Sequence, residues 1–319
     1  MVCNISVIIP TMNRPDSLKQ TLDCIVMSVK KPSEIIVVDQ SINPEIADLN
    51  RKYAEECDAE VNVKYLYQSV PSLTKARNYG IQQATNDIIV CSDDDVDVKR
   101  RTFEIIEEVM TDDNIAMIAG LDINTKLSNK SKIGYFIGTK SYRKRNIGHV
   151  TPSVFGRFPI AVSGITDTEW AMGFFFVIRR SLQVKWNVWW DEQLVSYAYA
   201  EDLDFSYNYY KHAKKENLRC IYHPEIIVTH QATKEYRVPS RKSSLMYIIN
   251  REYLSYKHFP AYSRLATRWT NFWRIIAAIK HPQHMKNLLE GQILADLNRK
   301  EIRKGKLPQN IFDYNSRGI

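Results

Sequence analysis

The stretch IVCSDDDVDV, residues 89–98, runs from apolar side chains straight into Asp93, Asp94, Asp95 and Asp97. Like charges this close repel unless something positive lies among them. In an extended segment alternate side chains face the same way, so Asp93 and Asp95 converge on one ligand while Asp94 turns elsewhere and Asp97 caps or faces solvent. A partial set of hard oxygen ligands suits Mg2+ or Mn2+, with phosphate and water completing the shell. The competing reading is a solvated acidic turn or helix N-terminus. Placement directly after an apolar strand, where open α/β sheets bind ligands, favours the metal.

The elements that must hold these acids follow from hydrophobic pattern. ISVIIP and EIIVVDQS are continuous apolar runs suited to strands buried on both faces. Between them DSLKQTLDCIVMS carries Leu18, Leu22, Ile25 and Val26 at helical spacing, with Asp16 or Ser17 expected to cap its start. The unit repeats as NVKYLYQ, SLTKARNYGIQQA and DIIVCS, and this alternation predicts an open α/β sheet. Asp39 and the Asp93 cluster both fall at strand ends. Beyond Arg100 the sequence predicts a helix at TFEIIEEVM and a strand at IAMIAGLDI. A basic stretch over 124–164 is expected to contain a mobile loop. An aromatic segment WAMGFFFVIRRSL, a helix AEDLDFSYNYYKHA with acids near its start, and a strand EIIVTH complete this part. We divide the chain into 1–98, 99–235 and a basic, aromatic, mainly helical extension, 236–319.

Net charge is +8, and the extension carries it: residues 236–319 hold 16 Lys or Arg and 5 Asp or Glu, against 28 and 31 in the rest of the chain. In RLATRWTNFWRIIAAIK, Leu265, Trp269, Phe272, Ile276 and Ile279 share one helical face, with Arg264, Arg268, Arg274 and Lys280 on its flanks or opposite side. That pattern fits an anionic membrane surface, or a helix packing on the core, better than a nucleic-acid arm. Five cysteines lack CxxC pairs, so neither a zinc site nor a disulfide framework is indicated and a reducing compartment fits. The N-terminus has no signal-peptide pattern and no segment reaches membrane-spanning length, so the expected location is the cytoplasm, in solution or peripheral on the membrane's inner face.

Taken in order and at these intervals, SVIIPTMNRPDSLKQTL, EIIVVDQS, SLTKARNYGI and IIVCSDDDV resemble the nucleotide-sugar domain of the family 2 glycosyltransferases over residues 4–235. The resemblance implies a GT-A fold, a Rossmann-like, mostly parallel sheet flanked by helices, and inverting transfer from a nucleotide-sugar. Position by position, it puts Pro10, Thr11, Asn13 and Arg14 against the nucleotide and Asp39 on the base, usually uracil. Arg77 falls near base and phosphates, with Lys75 a weaker candidate. Asp93 and Asp95 match the DxD motif, the first near the ribose and the second on the metal; Asp94 is grouped with the donor-binding residues. Taken singly, each has a bland alternative: Asp39 a helix cap, Asn13 a turn, Arg77 a surface pair.

The reaction also needs a base at the acceptor hydroxyl and positive charge on the departing diphosphate. Glu201 and Asp202 match the family's ED motif, which implies Asp202 as general base and Glu201 as an acceptor-binding or orienting group, with Asp204 a decoy. Gly173 and Trp170 fall in the segment that lines the acceptor site, where a glycine lets backbone approach sugar and a Trp can stack on it. Asp191 in WWDEQL is mainly structural, with a lesser claim on the acceptor. His230 matches a third metal ligand found in several metal-dependent members, whereas His212 and His223 are ordinary histidines.

The expected partners are a UDP-sugar and a glycan or lipid-linked saccharide, in bacterial surface polysaccharide assembly. A sugar-nucleotidyltransferase would carry a Gly-rich N-terminal loop, and IIPTMNRPDSL has no glycine. The remaining alternative is a catalytically inactive glycan-binding or scaffold protein on the same fold.

Overall fold

Strand β1 (Val2–Thr11) lies at the centre of the molecule, fully buried from Ile5 to Ile9 because its β-branched run is apolar on both faces. The computed structural model describes residues 1–57, 59–125, 132–140, 146–195, 198–231, 240–308 and 310–312. After β1 come α1 (Pro15–Val26), β2 (Lys31–Asp39), α2 (Pro44–Glu55), β3 (Asn62–Tyr67), α3 (Leu73–Gln83), β4 (Ile88–Ser92) and the short β5 (Val96–Asp97). The middle of the chain forms α4 (Thr102–Val109), β6 (Ile115–Asp122), α5 (Lys132–Phe136), β7 (His149–Val150), β8 (Gly156–Arg157), β9 (Thr166–Asp167), β10 (Phe175–Arg179), α6 (Arg180–Trp186), α7 (Glu201–Lys215) and β11 (Arg219–His230). Four helices follow: α8 (Ser240–Lys257), α9 (Ala261–Ala277), α10 (Pro282–Leu297) and α11 (Arg299–Arg303).

The main sheet runs β3-β2-β1-β4-β10-β6-β11-β5, with β9 also paired to β11. The β1–β4 half is parallel, β10 is inserted antiparallel between β4 and β6, and β11 returns parallel to β6. Alternation along β1 divides the core. Val7 and Ile9 join Leu18, Leu22 and Phe103 beneath α1 and α4, while Ile8 joins Ile36, Val38 and Ala76 beneath α3. Gly80 explains how closely α3 approaches: a Cβ there would lie 2.5 Å from Ile8 Cγ2.

One local expectation is corrected, and one helix was not foreseen. Helix α1 is not capped by Asp16 or Ser17; Pro15 is its first residue, Arg14 occupies the cap position, and Asp16 sits in the first turn. Helix α2 escaped the sequence reading, although Asn43 caps it through Glu45 N at 3.0 Å and Pro44 opens it. Parts of the expected 124–164 loop (126–131, 141–145) and the expected 235/236 boundary lie outside the described residues.

The C-terminal helices join the core through α8, where Leu245, Ile249, Tyr253 and Leu254 share an apolar cluster with Leu194, Ala198 and Leu203. Helix α9 differs: Leu265, Trp269, Phe272 and Ile276 stay exposed in a row, with Tyr262 before them and Ile279 just after the helix. No helix among the described residues is long and apolar enough to cross a membrane.

Candidate active site

The acidic turn leaves the end of β4 and is met by the end of β11. Antiparallel pairing sets Thr229 opposite Asp97 and His230 opposite Val96, and Gln231 N donates to Asp95 O at 2.9 Å. This register brings His230 Nε2 to 3.2 Å from Asp95 Oδ1. Phe174 stacks on the His230 ring at 5.3 Å and fixes its plane. Asp93, Asp95 and His230 each offer one ligand atom, all within 4.8 Å of one another. Two carboxylate oxygens and an imidazole nitrogen suit Mn2+, and suit Mg2+ less well because of the nitrogen. Asp95 hydrogen-bonding, set against burial, raises the His230 pKa.

The three consecutive aspartates have different neighbours. Asp93 accepts from Arg77 Nη2 at 2.9 Å. Asp94 turns toward β1, where it accepts from Thr11 Oγ1 at 2.7 Å and Arg14 Nη1 at 3.1 Å. Burial pushes Asp94 up to about 7 against the pull of Arg14, and pushes Asp93 upward against Arg77. Asp97 accepts from Gln20 at 3.0 Å and from Gln231, so it is neither a cap nor bare.

The nucleotide-side residues form a corner between β1 and β2. Asn13 adopts a left-handed backbone (φ 55°), accepts from Ile42 N at 3.2 Å, and its own N–H donates to Ser41 Oγ at 2.9 Å. Pro10 is buried at the end of β1. Asp39 departs from expectation: it is fully buried and already accepts four bonds, from Ser41 N and Oγ, Asn50 Nδ2 and Tyr65 OH. It holds the corner from below, and a base could reach it only by displacing one of these donors. Lys75 is exposed on α3, and among the described residues its ammonium meets no side chain.

Arg77 lies beside the acidic turn, in the interior and not in a surface pair. Only 1% exposed, it sits between the acidic turn and α7, where its guanidinium donates to Asp93, to Gly173 O at 2.9 Å and to Glu201. The ring of Trp190 lies 5.8 Å from the guanidinium. Gly173 N donates to Asp202 Oδ2 at 3.1 Å, and Leu203 N to Asp202 Oδ1 at 2.7 Å. A Cβ at Gly173 would lie 3.1 Å from both Arg77 Nη2 and Glu201 Oε1, so this glycine makes room for protein side chains. Asp202 sits in the first turn of α7, where the helix dipole favours a carboxylate. Burial nevertheless raises its pKa against the Leu203 and Gly173 N–H bonds; burial and the charge of Asp202 raise that of Glu201.

Two alanines aim this turn: Ala198 (φ 51°) and Ala200 (φ 68°) are both left-handed. Sequence reasoning missed them because nothing about Ala signals positive φ. It also missed Ser206, whose hydroxyl donates to Asp202 O at 2.6 Å and accepts from Ala171 N at 3.0 Å, tying α7 to the segment before β10.

Trp170 and Asp191 lie apart from this cluster. Trp170 is 5% exposed, packs against Gly156 and Phe158, and donates Nε1–H to Arg157 O at 3.1 Å, so its ring offers no sugar-stacking face. Asp191 accepts from Tyr253 and from Lys257 at 2.7 Å, fastening the chain to α8. Asp204 likewise faces α8, buried against Lys257 and His258.

The sequence model described as "Glycosyl transferase family 2" matches residues 6–165. An "Uncharacterized glycosyltransferase" of Rickettsia felis is 24% identical over 164 residues, 51% of this chain and 26% of that protein. The aligned part is therefore about a quarter of that relative's length. Among solved structures, the mannosyltransferase PcManGT of Pyrobaculum calidifontis, in complex with GDP-Man and Mn2+, superposes with a TM-score of 0.55 at 15% identity, covering 97% of this chain and 85% of its own. GalNAc-T7, with UDP, GalNAc and Mn2+, gives 0.56 at 15% identity, covering 80% and 51%. These structural likenesses establish a shared glycosyltransferase fold.

Proposed function

Because the chain belongs to glycosyl transferase family 2, we propose that it transfers a sugar from a nucleoside diphosphate to an acceptor hydroxyl with inversion at the donor carbon. Asp202 removes the acceptor proton as the oxygen attacks the anomeric carbon, and the bond from that carbon to the diphosphate breaks on the opposite side. Glu201 orients the base through Arg77. Asp93, Asp95 and His230 are the residues that would hold a divalent ion; when bound, it supplies positive charge to the departing diphosphate. Mn2+ is favoured over Mg2+ by the imidazole.

One observation carries the reading: Arg77 bonds at once to Asp93 of the acidic turn, to Glu201, and to the carbonyl of Gly173, whose N–H holds Asp202. These bonds support the reading because they would hold donor-side and acceptor-side carboxylates in a fixed relation, which in-line displacement needs. Thr11 and Arg14 reach the donor from the β1 side, and uridine is the favoured nucleoside if Asp39 exchanges the Ser41 hydroxyl for a base N–H. Substituting Asp202→Asn tests the assignment. Transfer should fall by about 10^2–10^4-fold while donor binding persists. Unchanged turnover would remove the base assignment, and no turnover in the native protein with any nucleotide-sugar would favour the inactive glycan-binding alternative.

We assign the acceptor to a glycan or lipid-linked saccharide of bacterial surface polysaccharide assembly, a setting that rests on family resemblance. The exposed row of α9, with the exposed Lys280 just after the helix, supports contact with an anionic membrane surface.

A further inference from the structure

Three guanidinium groups gather beside the Asp202 turn around two aromatic rings. Arg251 lies 3.6 Å from the Phe155 centroid and 5.1 Å from that of Tyr247; Arg157 lies 4.9 Å from Phe155, and Arg274 lies 5.1 Å from Tyr247. Among the described residues no carboxylate comes within ion-pair distance of any of the three. By contrast, the buried Arg77 and the more exposed Lys257 are each paired with two acids.

Their roles differ. Arg251 is fully buried and spends its donors on Ser153 O, Val154 O and Asn271 Oδ1, which makes it a fixed positive charge. Arg157 is half-buried; its Nε and Nη1 serve Thr139 O and Gly156 O, and its Nη2 donates to no described residue. Arg274 is exposed, and among the described residues its guanidinium lies over the Tyr247 ring without an ion-pair partner. Burial lowers the pKa of Arg157 and of Arg251, with neighbouring arginines adding to the effect. Such crowding of like charge in a partly dry site is costly unless an anion arrives.

The cluster borders the candidate base. Tyr199, three residues before Asp202, packs on Tyr247 at 5.1 Å between centroids. Burial raises its hydroxyl pKa, and the charges of both Arg251 and Asp202 act on it. We propose that the acceptor carries a phosphate group, held by Arg157 and Arg274 and by the hydroxyls of Tyr199 and Tyr247, with Arg251 as the fixed counter-charge. A tetrahedral dianion can accept from Arg157 Nη2, the Arg274 guanidinium and the two hydroxyls together, and is matched by their charge better than a neutral sugar is. Arg274 is exposed, so either a soluble phosphate or a lipid headgroup can reach it. The inference rests on the proposed transfer reaction, to which it adds the acceptor's chemical class.

The test uses the full chain saturated with UDP and Mn2+, so that the donor pocket is filled, and titrates glycerol 3-phosphate by calorimetry. A second arm measures co-sedimentation with phosphatidylcholine vesicles with and without phosphatidic acid. Binding in at least one arm is expected, and the Arg157→Gln/Arg274→Gln double variant should weaken it by at least about tenfold. Response in the vesicle arm alone identifies a lipid headgroup; response in both identifies the phosphate itself. Arg274→Gln alone, at an exposed position, gives the readout should the double variant not fold. No binding by the native chain in either arm, or unchanged binding by a folded variant, overturns the inference. Failure of UDP to bind would count against the transfer reading instead, and the same phosphate titration would still decide this one.

Discussion

Arg77 and Glu201 form a buried ion pair between two elements separated by 124 positions in the chain. Breaking one side of such a pair leaves an uncompensated buried charge. Arg77→Met should therefore cost about 3–5 kcal/mol, read from urea unfolding. It should also abolish transfer, because Asp93 and Gly173 lose the same donor. A loss below about 1 kcal/mol would mean that Glu201 is neutral in the folded protein.

Removing the ion tests the ligand set. EDTA, Asp95→Ala and His230→Ala should each weaken UDP binding in Mn2+ by more than about tenfold, since a charged contact contributes about 1.5–3 kcal/mol. Mn2+ titration of UDP-loaded protein supplies the measurement. Affinity that is indifferent to EDTA would exclude these residues as metal ligands.

The Asp204–His258 contact gives stability a pH dependence. Burial pushes Asp204 up, but His258 and Lys257 outweigh it and leave it below its ordinary 3.8; burial holds His258 below its ordinary 6.5. For both groups the unfolded chain binds protons more readily than the folded one, so stability falls as pH falls. The loss should begin below about 6.5 for His258 and continue below about 3.8 for Asp204. Thermal unfolding of His258→Gln should lack the first of these steps, and an unchanged profile would contradict the assignment.

Membrane contact through α9 is tested by Leu265→Ser/Phe272→Ser. Both side chains are exposed, so the fold should be little changed while binding to anionic vesicles falls by at least about tenfold. Persistence of the interaction would move it off this face; concentration-dependent mass in solution, abolished by the same substitutions, would make the face an interface between copies.

How much of this was legible in sequence depended on distance along the chain. The strands that end at Asp39 and Asp93 could be read from local apolar runs, as could α7 with its acidic start, because pattern and element coincide. The neighbours of each acid could not. Asp39 is saturated by Asn50 and Tyr65, Asp94 by Thr11 and Arg14, and Trp170 is closed off by Gly156, none adjacent in sequence. Helix α8 was not picked out for another reason: it is buried on several sides, so its apolar residues do not gather on one face as in an amphipathic helix. The arginine cluster draws on residues between 155 and 274, and only the fold gathers them.

The two left-handed alanines before Asp202 bear on how the protein divides rigidity from stability. Glycine would adopt φ 51° or 68° without the steric cost of about 1–2 kcal/mol that each alanine carries. Ala198, however, is fully buried in the apolar cluster beneath α8, and a glycine would forfeit that contact and loosen the unfolded and folded turn alike. The methyl groups thus trade net stability for a narrow range of directions at the residue that must meet an incoming hydroxyl. Accuracy of aim, in this chain, is set by hydrocarbon two and four positions away from the carboxylate.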